Sequence, residues 1–177
     1  MKAMSGKKLA RYAVLIALAL GLSYMERFIP LELLVPLPGV KLGLANIVTL
    51  FALYDMGGGS AAAILLPRCL LGAVFGGSGV ALLYSLLGGF AALGVMALAK
   101  RIPFLSVLGV SILGAAAHNC GQILAAMLVL KSVYIISYLP FLLFTAVATG
   151  FLTGSLTAAS LRALWAAEGH ERGEKTS

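Results

Sequence analysis

The stretch from Phe104 to Leu130 contains no Asp, Glu, Lys or Arg, and it is one of six apolar stretches in the chain. A hydrocarbon core about 30 Å thick is crossed by a helix of roughly 20 apolar residues. Hydrophobic residues make up 61% of the chain and charged residues 11%. A soluble domain carries about 25% charged residues, and a soluble fold of this size could not hide so much apolar surface. The predicted fold class is all-α: one integral membrane bundle of six transmembrane helices.

The pattern places helix 1 at Leu9 to Ile29, where it is retained rather than cleaved as a signal peptide. "PLELLVPLPGVK" then forbids a regular helix through three prolines and a glycine. Helix 2 spans Leu42 to Tyr54, which is short for a crossing and implies tilt or a start inside a protein-lined cavity. "YDMGGGS" is a turn. Helix 3 covers Ala61 to Phe75, with an interruption at Pro67-Arg68, and "GGSG" is a tight connection. Helix 4 covers Val80 to Leu98, and helix 5 Phe104 to Leu130. "KSVYIISYLP" is a connection with room for a short interfacial element. Helix 6 covers Phe141 to Trp165. Residues 1–166 form the transmembrane domain, and 167–177 form a polar tail without regular structure.

The net charge of +7 invites a nucleic-acid reading, but the placement of the charges argues against it. Lys2, Lys7, Lys8 and Arg11 lie before or at the very start of helix 1, Lys100 and Arg101 follow helix 4, and Arg162, Arg172 and Lys175 lie at the end. This is the positive-inside pattern. It predicts a multi-pass protein of the plasma membrane with both termini cytoplasmic. The partner it implies is the lipid bilayer, with no nucleic acid. Lys41 and Lys131 fall on the outward side.

An ionisable group in a spanning helix is costly and is by default a functional candidate. Arg68 lies near the middle of helix 3. It must face a cavity or a partner, either as a buried pair or as a contact to an anionic ligand group. On helix 5, His118 and Gln122 are one turn apart and Asn119 lies about 100° further round, so the three form one polar sector. Such a sector can bond another helix or a ligand. Asn46 and Thr49 share a face of helix 2, and Lys41 sits just before it, as a snorkelling lysine or as a cation at a cavity mouth. The candidate substrate-binding set is Lys41, Asn46, Arg68, His118, Asn119 and Gln122. Glu26 and Arg27 read as a solvated helix end.

Several chemistries lack their residues. The acids are few, and no two share a spanning helix, which excludes two-carboxylate acid–base work and carboxylate proton relays. No aspartate-rich cluster is present to hold Mg²⁺. There is no P-loop and no GxSxG elbow. One histidine without a neighbouring carboxylate makes a poor metal site. Catalytic residues, metal and cofactor are therefore expected to be none. Cys69 and Cys120 read as small core residues. Gly72/Gly76, Gly150/Gly154 and Ala13/Ala17 are small-xxx-small steps that allow close helix approach.

"LPGVKLGLANIVTLFALY", Arg68 in "LLPRCLLG" and "GAAAHNCGQ" together resemble the Gx transporter family, often labelled heptaprenyl diphosphate synthase component I. The resemblance covers all six helices. That family is similar to the substrate-binding S components of energy-coupling factor transporters. The resemblance implies a six-helix S-component-like bundle and a pocket closed by the loop after helix 1. It also implies work with a coupling subunit and two ATPase subunits, with Ala13 and Ala17 matching an alanine-xxx-alanine docking motif. The resulting expectation is a non-enzyme that binds and imports a small-molecule substrate, a nutrient, vitamin or quinone-related precursor. The alternative is a non-catalytic membrane accessory subunit in isoprenoid or quinone metabolism, where the polar sector would only join helices.

Overall fold

The computed structural model describes residues 6–29, 40–76 and 79–174, with side chains through residue 167. It is all-α, with six helices: α1 (Gly6–Met25), α2 (Asn46–Asp55), α3 (Gly58–Gly76), α4 (Gly79–Ala99), α5 (Val107–Leu130) and α6 (Leu139–Glu174). Short 3₁₀ turns follow α1, at Glu26–Phe28, and precede α6, at Val133–Tyr138. The second of these occupies the connection where a short interfacial element was expected. Most of "PLELLVPLPGVK" lies outside the described residues, as does the middle of "GGSG".

Five segments are long and apolar enough to cross a membrane: Gly6–Phe28, Gly58–Gly76, Gly79–Ala99, Val107–Leu130 and Val133–Ala167. The exception is α2. Its 10 residues rise about 15 Å, half of a hydrocarbon core. It survives because other helices surround it: α1, α3, α4 and α6 all pack against α2. Val48, Leu50, Ala52 and Leu53 of α2 are buried in the core they form.

Glycine sets the closest approaches. A Cβ on Gly121 of α5 would stand 2.5 Å from the Leu87 carbonyl oxygen of α4, and one on Gly150 of α6 would stand 2.5 Å from Ile112 Cα of α5. No side chain fits there, so α4, α5 and α6 pack backbone to backbone. The Ser111 and Thr153 hydroxyls meet at 2.8 Å across the α5–α6 seam. Thr149, Thr153 and Thr157 return their hydroxyls to carbonyls four residues back on α6, which satisfies them without water.

The local signals explain the ends. Ser106 caps α5 by accepting from Gly109 N at 3.2 Å, as N-cap serines do. Gly57 turns α2 into α3 at φ +88, a conformation glycine adopts without strain. The turn is tighter than the sequence suggests, because Gly58 and Gly59 already belong to α3.

Three expectations are corrected. Pro67 does not interrupt helix 3: α3 is continuous through it. Membrane helices tolerate proline because neighbouring groups re-satisfy the freed carbonyl. The tail predicted to lack regular structure is helical as far as Glu174, continuing α6 without a break. Cys69 is buried as expected, whereas Cys120 is exposed on α5.

Candidate functional site

Because α2 is half a span long, one of its ends lies inside the bundle. A helix N-terminus carries unpaired N–H groups and roughly half a positive charge. Here the chain answers with Glu26, just past the end of α1. Glu26 is 4% exposed, and its Oε1 accepts a hydrogen bond from the Leu44 N–H at the entry to α2. At the other end of α2, Lys100 Nζ donates to the Leu53 carbonyl at 2.9 Å and lies 4.7 Å from the Tyr54 ring centroid. An anion at the N-terminus and a cation at the C-terminus both complement the helix dipole. Arg11 near the start of α1 pairs with Asp55 at 2.7 Å, so α1 and α2 run antiparallel side by side.

The extended residues leading into α2 have no helix to satisfy them. Gln122 of α5 does so: Lys41 N–H donates to Gln122 Oε1 at 2.9 Å, and Gln122 Nε2 donates to the Lys41 carbonyl at 2.9 Å. The side-chain amide acts as one rung of a sheet. Gln122 Nε2 also hydrogen-bonds His118 Nε2. With the amide as donor, His118 Nε2 is the acceptor and its ring proton sits on Nδ1. Two glycines make room for this imidazole. A Cβ on Gly88 of α4 would stand 2.8 Å from His118 Nδ1, and one on Gly43 would stand 3.0 Å from His118 Cδ2. Gly43 also has φ +84, which bends the lead-in toward α2.

The remaining predicted residues disperse around this centre. Asn119 Nδ2 donates to the Leu142 carbonyl of α6 at 2.6 Å. Asn46 is buried, and its Oδ1 makes no hydrogen bond among the described residues. Arg68 is 7% exposed. Its Nη1 reaches Ser23 Oγ at 3.5 Å, and its Nε has no partner among the described residues. Ala13 and Ala17 lie on the exposed face of α1. No group of three His, Cys, Asp or Glu side chains converges among the described residues.

A cavity of about 480 Å³ opens between α1 and α3, with Leu20, Ser23, Arg27, Lys41 and Phe75 in its wall. Lys41 Nζ donates to Ser85 Oγ of α4 at 3.1 Å. Arg27 bridges the seam: its Nη2 donates to the Gly72 carbonyl at 3.5 Å, and its guanidinium lies 5.4 Å from the Tyr24 ring centroid. Of the predicted set, Lys41 lines the cavity and Arg68 stands behind it, hydrogen-bonded to the lining Ser23. Gln122 holds the Lys41 backbone in place and His118 supports Gln122, whereas Asn119 ties α5 to α6.

Sequence reasoning missed Glu26, Arg27, Ser23 and Gly43. Glu26, expected to be solvated, is buried, because the half-length α2 needs an acceptor at its start. That shortness was the available signal: a helix that begins inside the bundle requires an anionic or polar cap nearby.

These features define an all-α, multi-span membrane protein with a polar centre built around an internal half-helix. The chain belongs to the heptaprenyl diphosphate synthase component I family, whose model matches residues 15–160. No curated protein and no solved structure matches the chain.

Proposed function

We propose that this protein is the substrate-binding component of an importer of the energy-coupling factor type. It would capture a small organic anion, a nutrient, vitamin or quinone-related precursor, and a separate ATPase module would drive uptake. The observation that carries this reading is the cavity between α1 and α3, with Arg27 and Lys41 in its wall and Arg68 behind Ser23. Cations gathered in a partly buried wall attract an anion. The half-helix supports the reading, since transporters build midplane sites from discontinuous helices. Arg27 and Lys41 take the anionic end, Arg68 fixes Ser23, and Gln122 sets the position of Lys41. Ala13 and Ala17 on the bare face of α1 offer a flat strip for a coupling subunit. In this reading the basic end is cytoplasmic and the cavity faces outward.

A second reading is a non-catalytic accessory subunit in isoprenoid or quinone metabolism. It is favoured by one observation: Gln122 and Asn119 find protein partners rather than empty space.

Two measurements separate the readings. The first is co-purification with a coupling subunit and two ATPases, which the importer reading expects and the accessory reading does not. The second is identification of the co-purified small molecule by mass spectrometry, followed by its titration against Lys41→Ala and Arg68→Ala. A loss of affinity of tenfold or more is expected, since truncating a buried charged contact costs about 2–5 kcal/mol. Unchanged affinity in both variants would remove the cavity as the site.

A further inference from the structure

The basic end of the bundle carries a second cavity, of about 400 Å³, lined by Lys7, Lys8 and Arg11 of α1 and by Met56 and Ser60 from the α2–α3 turn. The turn is "YDMGGGS", which lacks the lysine of a P-loop. Packing brings two lysines and an arginine to it from a different helix. The helices involved run parallel: Tyr12 meets Ser60, and further along α1 Leu20 lies beside Gly72 and Arg27 beside Gly76. The N-termini of α1 and α3 therefore stand side by side, each with roughly half a positive charge. Neither helix has an acidic residue in its first turn. Instead α1 places Lys7 and Lys8 there, against the preference of its own dipole.

The start of α3 is bare. Its first intrahelical bond runs from the Ala61 N–H to the Gly57 carbonyl at 3.0 Å, so the N–H groups of Gly58, Gly59 and Ser60 have no acceptor within the helix. Glycine at 57, 58 and 59 offers no side-chain cap, and a Cβ on Gly57 or Gly59 would meet nothing within 4 Å. Ser60 lines the cavity yet is only 9% exposed. Its Oγ accepts from the Tyr12 hydroxyl at 2.8 Å, and its own proton has no acceptor among the described residues. Lys8 Nζ lies 5.7 Å from the Tyr12 ring centroid, and Arg11 is held by Asp55. Lys7 Nζ has no hydrogen bond or ion pair among the described residues. A buried hydroxyl donor, bare helix N–H groups and two ammonium groups thus meet at one cavity, the set of donors that binds phosphate oxygens.

Depth in the membrane selects the source of that phosphate. Gly6–Phe28 and Gly58–Gly76 are two of the five spans, and both begin at this end. Lys7, Lys8, Gly58 and Gly59 belong to their first turns, which lie at the level of lipid headgroups. We propose that this cavity binds the phosphate of an anionic phospholipid in the leaflet at the basic end of the bundle. Lys7 and Lys8 meet its charge, and the Ser60 hydroxyl and the N–H groups at the start of α3 donate to its oxygens. Arg11, through Asp55, fixes α1 against the turn. The site is separate from the α1–α3 cavity and stands whether or not the chain imports a substrate.

The test is native mass spectrometry of the full chain in detergent, titrated with phosphatidylglycerol and with phosphatidylcholine. One phosphatidylglycerol is expected to be retained at least tenfold more tightly than phosphatidylcholine. The double variant Lys7→Gln, Lys8→Gln changes two exposed side chains and should weaken phosphatidylglycerol tenfold or more, leaving phosphatidylcholine unchanged. Arg101→Gln, an exposed cation elsewhere on the expected basic side, should leave both unchanged. Gly59→Asp adds a carboxylate where nothing clashes and where the dipole of α3 favours it. It should weaken phosphatidylglycerol tenfold or more while the unfolding temperature in phosphatidylcholine nanodiscs holds or rises.

Equal wild-type affinity for the two lipids overturns the site. So does an equal loss with Arg101→Gln, which would mean a diffuse field, or indifference of phosphatidylglycerol to both the lysine pair and Gly59→Asp. Displacement of the lipid by an equal concentration of glycerol 1-phosphate overturns the lipid as occupant in favour of a soluble phosphate ester. Residues 1–5 contain no acid, but Glu168, Glu171 and Glu174 follow α6 toward the same side. Changing all three to glutamine is expected to leave phosphatidylglycerol affinity unchanged. Binding that appears only in that variant would mean the chain's own carboxylates fill the cavity, and the proposal fails.

Discussion

Replacing Gln122 by leucine keeps the side-chain volume but removes both ends of the bridge to Lys41. Two hydrogen bonds of 2.9 Å disappear, each worth a net 0.5–1.5 kcal/mol, about 1 kcal/mol in the middle of the range. The Lys41 N–H and C=O are then left against an apolar side chain, and a buried unpaired group costs about 1–3 kcal/mol. Taking the low end for a half-buried segment, the loss is about 2–4 kcal/mol. At 1.4 kcal/mol per factor of ten, a loss of about 3 kcal/mol raises the open population of residues 40–45 by roughly 100-fold. Hydrogen exchange of the ligand-free protein in nanodiscs, read by mass spectrometry on peptides covering 40–45, should show that acceleration. If the cost also reaches the whole bundle, the unfolding temperature falls by about 6–12 °C, at 2–4 °C per kcal/mol for a chain of this size. Gln122→Glu retains the acceptor for Lys41 N–H but sets a carboxylate oxygen against the Lys41 carbonyl and His118 Nε2 in a buried position, so its loss should be at least as large. If Gln122→Leu leaves both exchange and unfolding temperature at wild-type values, Gln122 does not hold this segment, and its role must be direct contact with a ligand.

The charge complementarity of α2 predicts that Glu26→Ala and Lys100→Met each lower stability, by about 1–2 kcal/mol for the cap and about 0.5–1.5 kcal/mol for the lysine contact. The two sit at opposite ends of a helix about 15 Å long, so the double variant should be additive within about 0.5 kcal/mol. Differential scanning fluorimetry checks this, and a neutral Glu26→Ala would show that α2 needs no anionic cap. Gly121→Ala places a methyl group 2.5 Å from the Leu87 carbonyl oxygen and should cost about 1–3 kcal/mol or more by overpacking. Gly94→Ala on the neighbouring α4 meets nothing within 4 Å and should be neutral or stabilising by about 0.5–1 kcal/mol; the same melting assay compares the pair, and equal effects would refute the close α4–α5 contact. Arg11→Ala breaks a pair whose arginine is 39% exposed, and at a solvent-accessible end the loss should stay below about 1 kcal/mol. A larger drop in chemical-denaturant midpoint would mean the pair is sealed from water.

The membrane character and the helix count were legible because lipid imposes local requirements. A helix about 20 apolar residues long satisfies its own backbone, so each span can be recognised without reference to the others. The same local geometry put His118 and Gln122 on one face, and the structure places them in mutual hydrogen bonding. The small-xxx-small step Gly150/Gly154 marked a close helix contact, which α5 supplies through Ile112 and Leu108. Pro67 misled because the rule that proline breaks a helix assumes water competing for the freed carbonyl, and a packed membrane helix offers other partners.

What a window of sequence could not show is which polar group meets which. Gln122 and Lys41 are 81 residues apart in the chain, and nothing local to "GAAAHNCGQ" selects a backbone segment rather than a ligand as their partner. Glu26 looked like a solvated helix end because it stands beside the charged Arg27 where the first apolar run ends. It is buried because the N-terminus of α2 arrives beside it. The sequence by itself determined that this chain crosses a bilayer as apolar helices and carries polar groups it must satisfy there. The tertiary structure alone decided that these groups secure a half-helix and that the cations gather at the α1–α3 cavity. The physical reason is that burial in lipid is a property of each segment, whereas hydrogen-bond and charge pairing depend on segments brought together by packing.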